Sequence, residues 1–270
     1  MTFEPMGTTA LITGASSGLG REFAHRLAER GADLVLVARR EQRLEALAAE
    51  LATKYGTRSL VVPLDLTATD AVPTLVERLA GAGIRLSTLV NNAGFGNHGQ
   101  FATLDSAKIE AEFELNVGAL VRLSRAFLPE LLAGDGALIN VASTAAFQPM
   151  PRMAIYGASK AFVLSFTEAL WYEAKGSSLS VLALCPGPAD TEFFDVAEAQ
   201  DAAFGKLETA EQVVATALRA LDRRSPPPLI ISGTMNAVQA KAVGFAPRRF
   251  VLDLVGRLGA PKSASSRAGR

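Results

Sequence analysis

Thr9-Ala10-Leu11-Ile12-Thr13-Gly14-Ala15-Ser16-Ser17-Gly18-Leu19-Gly20 decides the fold of this chain. A short aliphatic run passes into a glycine-rich turn, and beyond it Leu19, Phe23 and Leu27 recur at helical spacing. That order reads as a buried strand, a tight turn and an amphipathic helix. Glycines there let the backbone approach a bound group closely, and the free amides of a helix start attract an anion. Gly14, Ser16, Ser17, Gly18, Leu19 and Gly20 are therefore read as a pyrophosphate cradle. Their Gly-x3-Gly-x-Gly spacing differs from the more familiar Gly-x-Gly-x-x-Gly, so the reading rests on position after the first strand.

Outward from this turn, short β-branched runs alternate with helical segments. Strands are predicted at 9–13, 33–38, 59–64, 87–91, 137–142, 180–184 and 229–232. Helices fall near 18–30, 40–55, 68–81, 104–133 with a break, 156–175 and 209–223. The pattern predicts an α/β, Rossmann-like doubly wound parallel sheet of about seven strands with helices on both faces. After the stiff turn Arg223-Arg224-Ser225-Pro226-Pro227-Pro228 and the last strand come helices at 235–243 and 247–258, a C-terminal helical extension. One dinucleotide-binding domain over 1–260 is expected, followed by a disordered tail over 261–270.

Lys plus Arg and Asp plus Glu both number 27, so the chain lacks the basic excess that would track nucleic acid. The first residues carry no basic leader, and no apolar run reaches the ~18 residues of a spanning helix, so a cytoplasmic location is expected. Cys185 is the lone cysteine, read as a core residue, and His25 and His98 are the only histidines. No metal site is expected from so few ligands.

The second strand ends Ala38-Arg39-Arg40, where dinucleotide folds read the adenosine ribose. An acid there would repel a 2′-phosphate, whereas a guanidinium offers it forked donors, so Arg39 and Arg40 favour NADP(H), with NAD(H) as the alternative. Asp65 and Leu66 could hold the adenine, unless Asp65 only caps a local turn. The small residues of Asn92-Ala93-Gly94 would let a flat cofactor lie against the sheet edge.

Asn116, Ser143, Tyr156 and Lys160 form the expected catalytic set. Tyr156 and Lys160 are four apart and share one helix face. Carbonyl reduction needs a proton on oxygen as well as a hydride on carbon, and a phenol beside an ammonium is expected to shift toward a working acid/base. Ser143, at the carboxyl edge of the fifth strand, can donate to the substrate oxygen. Asn116 sits in mid-helix, where a local break could free its carbonyl or side chain to hold a water beside Lys160.

TGASSGLG at 13–20, NNAG at 91–94, Asn116, Ser143, YGASK at 156–160 and PGPADT at 186–191 together resemble the short-chain dehydrogenase/reductase family, across roughly 7–232. The resemblance implies Tyr156 as acid/base, Lys160 as its ribose-binding partner, Ser143 as substrate orienter and Asn116 as anchor of a water relay. It also implies that Pro186, Gly187 and Thr191 meet the nicotinamide carboxamide; Ala189 stands where the family often has a larger aliphatic residue.

Phe147, Met150, Met153, Phe193 and Phe194, with Phe204, predict an apolar pocket for a lipophilic carbonyl or alcohol such as a 3-ketoacyl, ketosteroid-like or aromatic ketone. A homodimer or homotetramer is expected through helices 104–133 and 156–175, carrying Leu120, Phe127, Leu164, Phe166 and Trp171. Two rival readings are a cofactor-binding regulator without turnover and a membrane-associated scaffold using the basic, amphipathic 247–258 segment. Retained Tyr156 and Lys160 weigh against the first, and packing of that segment on its own domain is preferred to the second.

Overall fold

The computed structural model describes residues 3–193 and 207–258. Seven parallel strands form one sheet: β1 (Thr9–Thr13), β2 (Asp33–Ala38), β3 (Ser59–Pro63), β4 (Thr88–Asn91), β5 (Ala137–Val141), β6 (Ser180–Cys185) and β7 (Leu229–Ile231). Their order is β3-β2-β1-β4-β5-β6-β7, so the direction of winding reverses between β1 and β4. A crevice opens at the carboxyl ends of the strands at such a reversal.

The helices are α1 (Gly18–Glu29), α2 (Glu41–Tyr55), α3 (Ala71–Gly81), α4 (Ser106–Phe113), α5 (Leu120–Leu132), α6 (Ala154–Glu173), α7 (Ala210–Leu221), α8 (Thr234–Val243) and α9 (Arg248–Leu258). Strand residues alternate between two cores. Ala10, Ile12, Leu34 and Leu36 pack with Phe23, Leu44 and Val214 of α1, α2 and α7. Leu11, Val35 and Val37 pack on the other face with Leu75, Leu123 and Leu170 of α3, α5 and α6. Burial on both faces explains why these strands read as continuous apolar runs.

The expected break near Asn116 is a widened turn. Residues Glu114–Ala119 form a π-helical segment between α4 and α5, with right-handed helical backbone at both ends. Short 3-10 turns at Phe101–Thr103 and Thr144–Phe147 were not expected from sequence. Cys185 is fully buried, and burial pushes its thiol up to about 12. Among the described residues no helix is long and apolar enough to cross a membrane. Helix α9 buries Val251 and Val255 while Phe250, Leu254 and Leu258 stay exposed.

Candidate active site

The crevice is a cavity of about 660 Å³ reached by all seven strand-end regions except that of β7, with α8 closing one side. At its floor Thr13 ties the first turn to the fourth strand: its Oγ1 accepts from the backbone amides of Asn92 (2.9 Å) and Ala93 (3.0 Å). Asn92 Nδ2 returns a bond to the Thr13 carbonyl at 2.9 Å. A Cβ on Gly14 would fall 2.8 Å from Asn92 Nδ2, so glycine is required for this close approach.

Helix α1 begins with Ser17 as N-cap, yet no side chain caps it. The amides at its start therefore retain hydrogen-bonding capacity at the edge of the cavity, the arrangement that suits an anion. Gly14, Ser16, Ser17, Gly18 and Leu19 all line the cavity, while Gly20 is buried behind the turn.

Arg39 and Arg40 line the same end. Arg40 donates to Ser17 Oγ at 2.8 Å and Ser16 Oγ at 3.0 Å, and pairs with Glu192 at 2.8 Å. Arg43 pairs with the other Glu192 oxygen at 2.6 Å, and hydrogen bonds from Arg40 and Arg43 hold the Glu192 carboxyl down at about 2. Sequence reading missed Glu192 and Arg43, because the pairing joins residues about 150 positions apart in the chain. Asp65 and Leu66 also line the cavity. Asp65 Oδ1 accepts from Thr67 N (3.0 Å) and Thr67 Oγ1 (2.8 Å), so it also braces a local turn. Burial disfavours its charge, but those two donors and the nearby Arg39 outweigh it and lower its pKa.

The four expected catalytic residues are brought together. Ser143 follows β5, Tyr156 and Lys160 lie on α6, and all three line the cavity. The Ser143 hydroxyl stands close enough to the Tyr156 phenol to favour its ionised form, while its oxygen accepts from Ala145 N at 3.1 Å. Lys160 is buried, its Nζ donating to the Val141 carbonyl at 2.8 Å and standing 5.7 Å from the centre of the Tyr156 ring. Gly94 keeps this corner clear: a Cβ there would meet Asn116 Oδ1 at 2.8 Å and Lys160 Nζ at 3.4 Å.

One expectation is corrected. In this state burial of the phenol dominates and pushes Tyr156 up to about 12; the nearby Ser143 hydroxyl opposes that and Glu112 adds to it. Lys160 is pushed down to about 8, again chiefly by burial. The expected lowering by the ammonium is not found: Lys160 is not among the groups that shift the phenol, and desolvation, which disfavours any charged form, sets the direction. The Asn116 side chain is engaged within the protein, which leaves its backbone carbonyl as the other expected holder of a water. Its Oδ1 accepts from Phe95 N (3.1 Å), and its Nδ2 donates to the Phe95 carbonyl (2.8 Å) and to Ser159 Oγ (3.1 Å).

Toward the apolar end, Met150, Met153 and Phe193 line the cavity as expected, with Phe193 tilted against Tyr156 at 5.0 Å between ring centres. Phe147 does not join them. It packs partly against the α6 core and faces a second cleft of about 470 Å³ between the 144–151 loop, α6 and α9. The 3-10 turn at Thr144–Phe147 rotates it away, and that turn has no apolar periodicity to announce it. Phe194 and Phe204 lie outside the described residues. Pro186, Gly187 and Thr191 border the cavity beside Gly18, where a Cβ would stand 3.1 Å from Thr191 Cγ2. Asn236 and Gln239 of α8 also line it; no motif in the sequence pointed to them.

Leu120, Phe127 and Leu164, expected at an oligomer face, are buried in the protomer's own core, because the helices' apolar stripes face the sheet. Phe166 and Trp171 pack partly against that core.

These features coincide with known proteins. A family model described as short chain dehydrogenase matches residues 8–202. The chain is 41% identical over 191 residues to sulfoacetaldehyde reductase 2 of Chromohalobacter salexigens, covering 70% of this chain and 75% of that protein. It is 38% identical over 188 residues to 11-beta-hydroxysteroid dehydrogenase 1A of Arabidopsis thaliana, covering 69% and 53%. Among solved structures, a short-chain dehydrogenase from Sphingobium yanoikuyae in complex with NADPH superposes with a TM-score of 0.79 at 36% identity, over 91% of this chain and 95% of that one. A glycine turn opening α1, the reversal between β1 and β4, and a Ser143–Tyr156 pair on the wall of one cavity thus have a common explanation: the chain belongs to the short chain dehydrogenase family, oxidoreductases acting on carbonyls and alcohols.

Proposed function

We propose that this protein is an NADP(H)-dependent reductase or dehydrogenase that interconverts a lipophilic ketone and its secondary alcohol. The observation carrying this reading is that Ser143, Tyr156 and Lys160 line the same cavity as an uncapped helix start and two arginines. A dinucleotide fits the residues present: Gly14, Gly18 and Gly20 pack so closely on Asn92, Thr191 and the Gly14 carbonyl that a Cβ would distort the turn, and Arg39 and Arg40 supply the cationic end. The Gly14–Gly20 turn would take the diphosphate, Arg39 and Arg40 the 2′-phosphate, Asp65 and Leu66 the adenine. Asn92, Ala93 and Gly94 would lie under the nicotinamide half, with Pro186, Gly187 and Thr191 at its carboxamide. When bound, the dinucleotide supplies or accepts the hydride.

The chain's own residues handle the proton. Tyr156, neutral while its pKa stands near 12, gives its hydroxyl proton to the carbonyl oxygen in the reductive direction and takes one back in the reverse. Ser143 donates to the same oxygen and stabilises charge developing there. Lys160 lends positive charge to the phenolate left behind, and Asn116 anchors the loop under this pair.

The apolar wall of Met150, Met153 and Phe193 supports a hydrophobic substrate. The hydroxysteroid relative agrees with that, whereas sulfoacetaldehyde, named for the other, is short and anionic. A panel of carbonyls assayed with purified protein and NADPH decides between them: turnover of bulky ketones is expected to exceed that of short anionic aldehydes and ketoacids. The opposite ranking would sink the lipophilic reading. Arg39→Asp is expected to swing the NADPH/NADH ratio of kcat/KM toward NADH by at least about tenfold, the loss of one charge-assisted contact. An unchanged ratio would remove Arg39 from phosphate reading.

Self-association as a homodimer or homotetramer belongs to the same proposal. Phe113 of α4 and Phe162 and Tyr172 of α6 are exposed, and they are the apolar candidates for that contact in place of the buried residues expected from sequence. Light scattering of the purified protein would measure the mass directly.

A further inference from the structure

Glu112, on α4 one turn before Asn116, is almost fully buried at 1% exposure, in a helix that is otherwise largely exposed. One of its oxygens, Oε2, accepts from the backbone amide of Asn97 at 3.0 Å and from Asn97 Nδ2 at 2.7 Å. The other, Oε1, is buried and has no hydrogen-bond partner among the described residues. A buried carboxylate left half-satisfied is costly, so its retention calls for a compensating role.

The surroundings supply one. Asn116 grips Phe95 through both its amide and its carbonyl, and Glu112 grips Asn97. The residue between them is Gly96, where a Cβ would stand 3.0 Å from Met153 Cε, 3.1 Å from Tyr156 Cδ2 and 3.3 Å from Phe193 Cζ. Two side chains one helical turn apart thus pin a loop whose middle residue lies against the Tyr156 ring. We propose that Glu112 is a positioning residue for the Tyr156–Lys160 pair: its bonds to Asn97 press the 95–98 loop onto Tyr156, and its charge is the buried counter-ion of Lys160.

Among the described residues, the titratable groups that act on Lys160 are Cys185 from β6 and Glu112 from α4. Burial holds the Cys185 thiol at about 12 and therefore neutral, and the Tyr156 phenol on the same helix is neutral for the same reason. That leaves Glu112 as the one carboxyl among these neighbours. Its own pKa is raised, because burial outweighs the opposing hydrogen bonds from Asn97 and the charge of Lys160.

The inference rests on the proposed acid/base roles, and its test is read without cofactor or turnover. Lysine side-chain carbons are labelled for NMR, the Lys160 signal is assigned by its loss in Lys160→Gln, and its titration is followed in cofactor-free protein. Glu112→Gln keeps an oxygen for Asn97 but removes the charge, so the Lys160 midpoint is expected to fall by about one unit, as for a lost neighbouring charge. Glu112→Asp should recover part of that fall. In turnover assays the alkaline limb of the pH profile should move down with the midpoint, with KM for NADPH unchanged. Glu112→Ala, which also loses the grip on Asn97, should lower kcat further than Glu112→Gln. A Lys160 midpoint identical in wild type and Glu112→Gln would overturn the counter-ion role, and equal kcat in the Gln and Ala variants would overturn the clamp. Wild-type protein that reduces no carbonyl would instead defeat the proposed function and leave the Lys160 titration readable.

Discussion

Tyr156→Phe is expected to lower carbonyl reduction by about a thousandfold or more while NADPH still binds, within the range that one general acid/base contributes. The substitution removes a single oxygen. The ring stays against Phe193 and Gly96, so the wall of the cavity keeps its shape. What disappears is the hydroxyl that shares the cavity wall with Ser143 and the helix face with Lys160. Binding of NADPH, followed by quenching of Trp171 or by calorimetry, should change little, which separates chemistry from folding. Activity within tenfold of wild type would mean that some other group moves the proton.

Gly20→Ala is the second large effect expected, and it acts on the cradle. A Cβ at Gly20 would lie 2.2 Å from the Gly14 carbonyl oxygen and 2.6 Å from Asn92 Nδ2. Neither neighbour can give way cheaply: one is backbone, and the other holds the Thr13 carbonyl and so joins the first turn to the end of β4. Overpacking of this kind costs about 1–3 kcal/mol, which for a chain of this size lowers Tm by roughly 2–10 °C. Because the displaced atoms shape the phosphate turn, NADPH affinity should also fall by at least about tenfold. Gly81→Ala is the matched control. Nothing lies within 4 Å of a Cβ there, at the end of α3, so Tm should hold or rise slightly. If Gly20→Ala behaved like Gly81→Ala, the tight packing of the turn would be refuted.

The sheet was legible because its signals are local. β1 and β2 have the predicted limits, since a parallel strand buried on both faces must be apolar along its whole length. The interruption at Asn116 could be anticipated from a poor helix former in mid-helix, but its nature as a π-turn could not, because the backbone there remains helical. Phe147 was misplaced for a comparable reason: one 3-10 turn after Ser143 changes which way an aromatic ring points without altering the composition of the loop.

The site divides along the same line. Residue types at fixed spacing, such as the glycine turn after β1 or Tyr156 and Lys160 four apart, announce themselves, since the chemistry depends on neighbours in the chain. Glu112, Glu192, Asn236 and Gln239 carry no such mark and reach the cavity or its walls only through packing.

From its sequence alone this chain is determined to be a doubly wound α/β protein with a glycine-rich anion turn and a serine, tyrosine and lysine set, because periodicity and spacing are properties of the linear chain. Tertiary structure alone decided the burial that shifts Tyr156 and Lys160, the pairing of Arg40 with Glu192 and the bonds from Asn97 to Glu112. The physical reason is that desolvation and ion pairing depend on which distant segments exclude water from a group, and no local stretch of sequence records that.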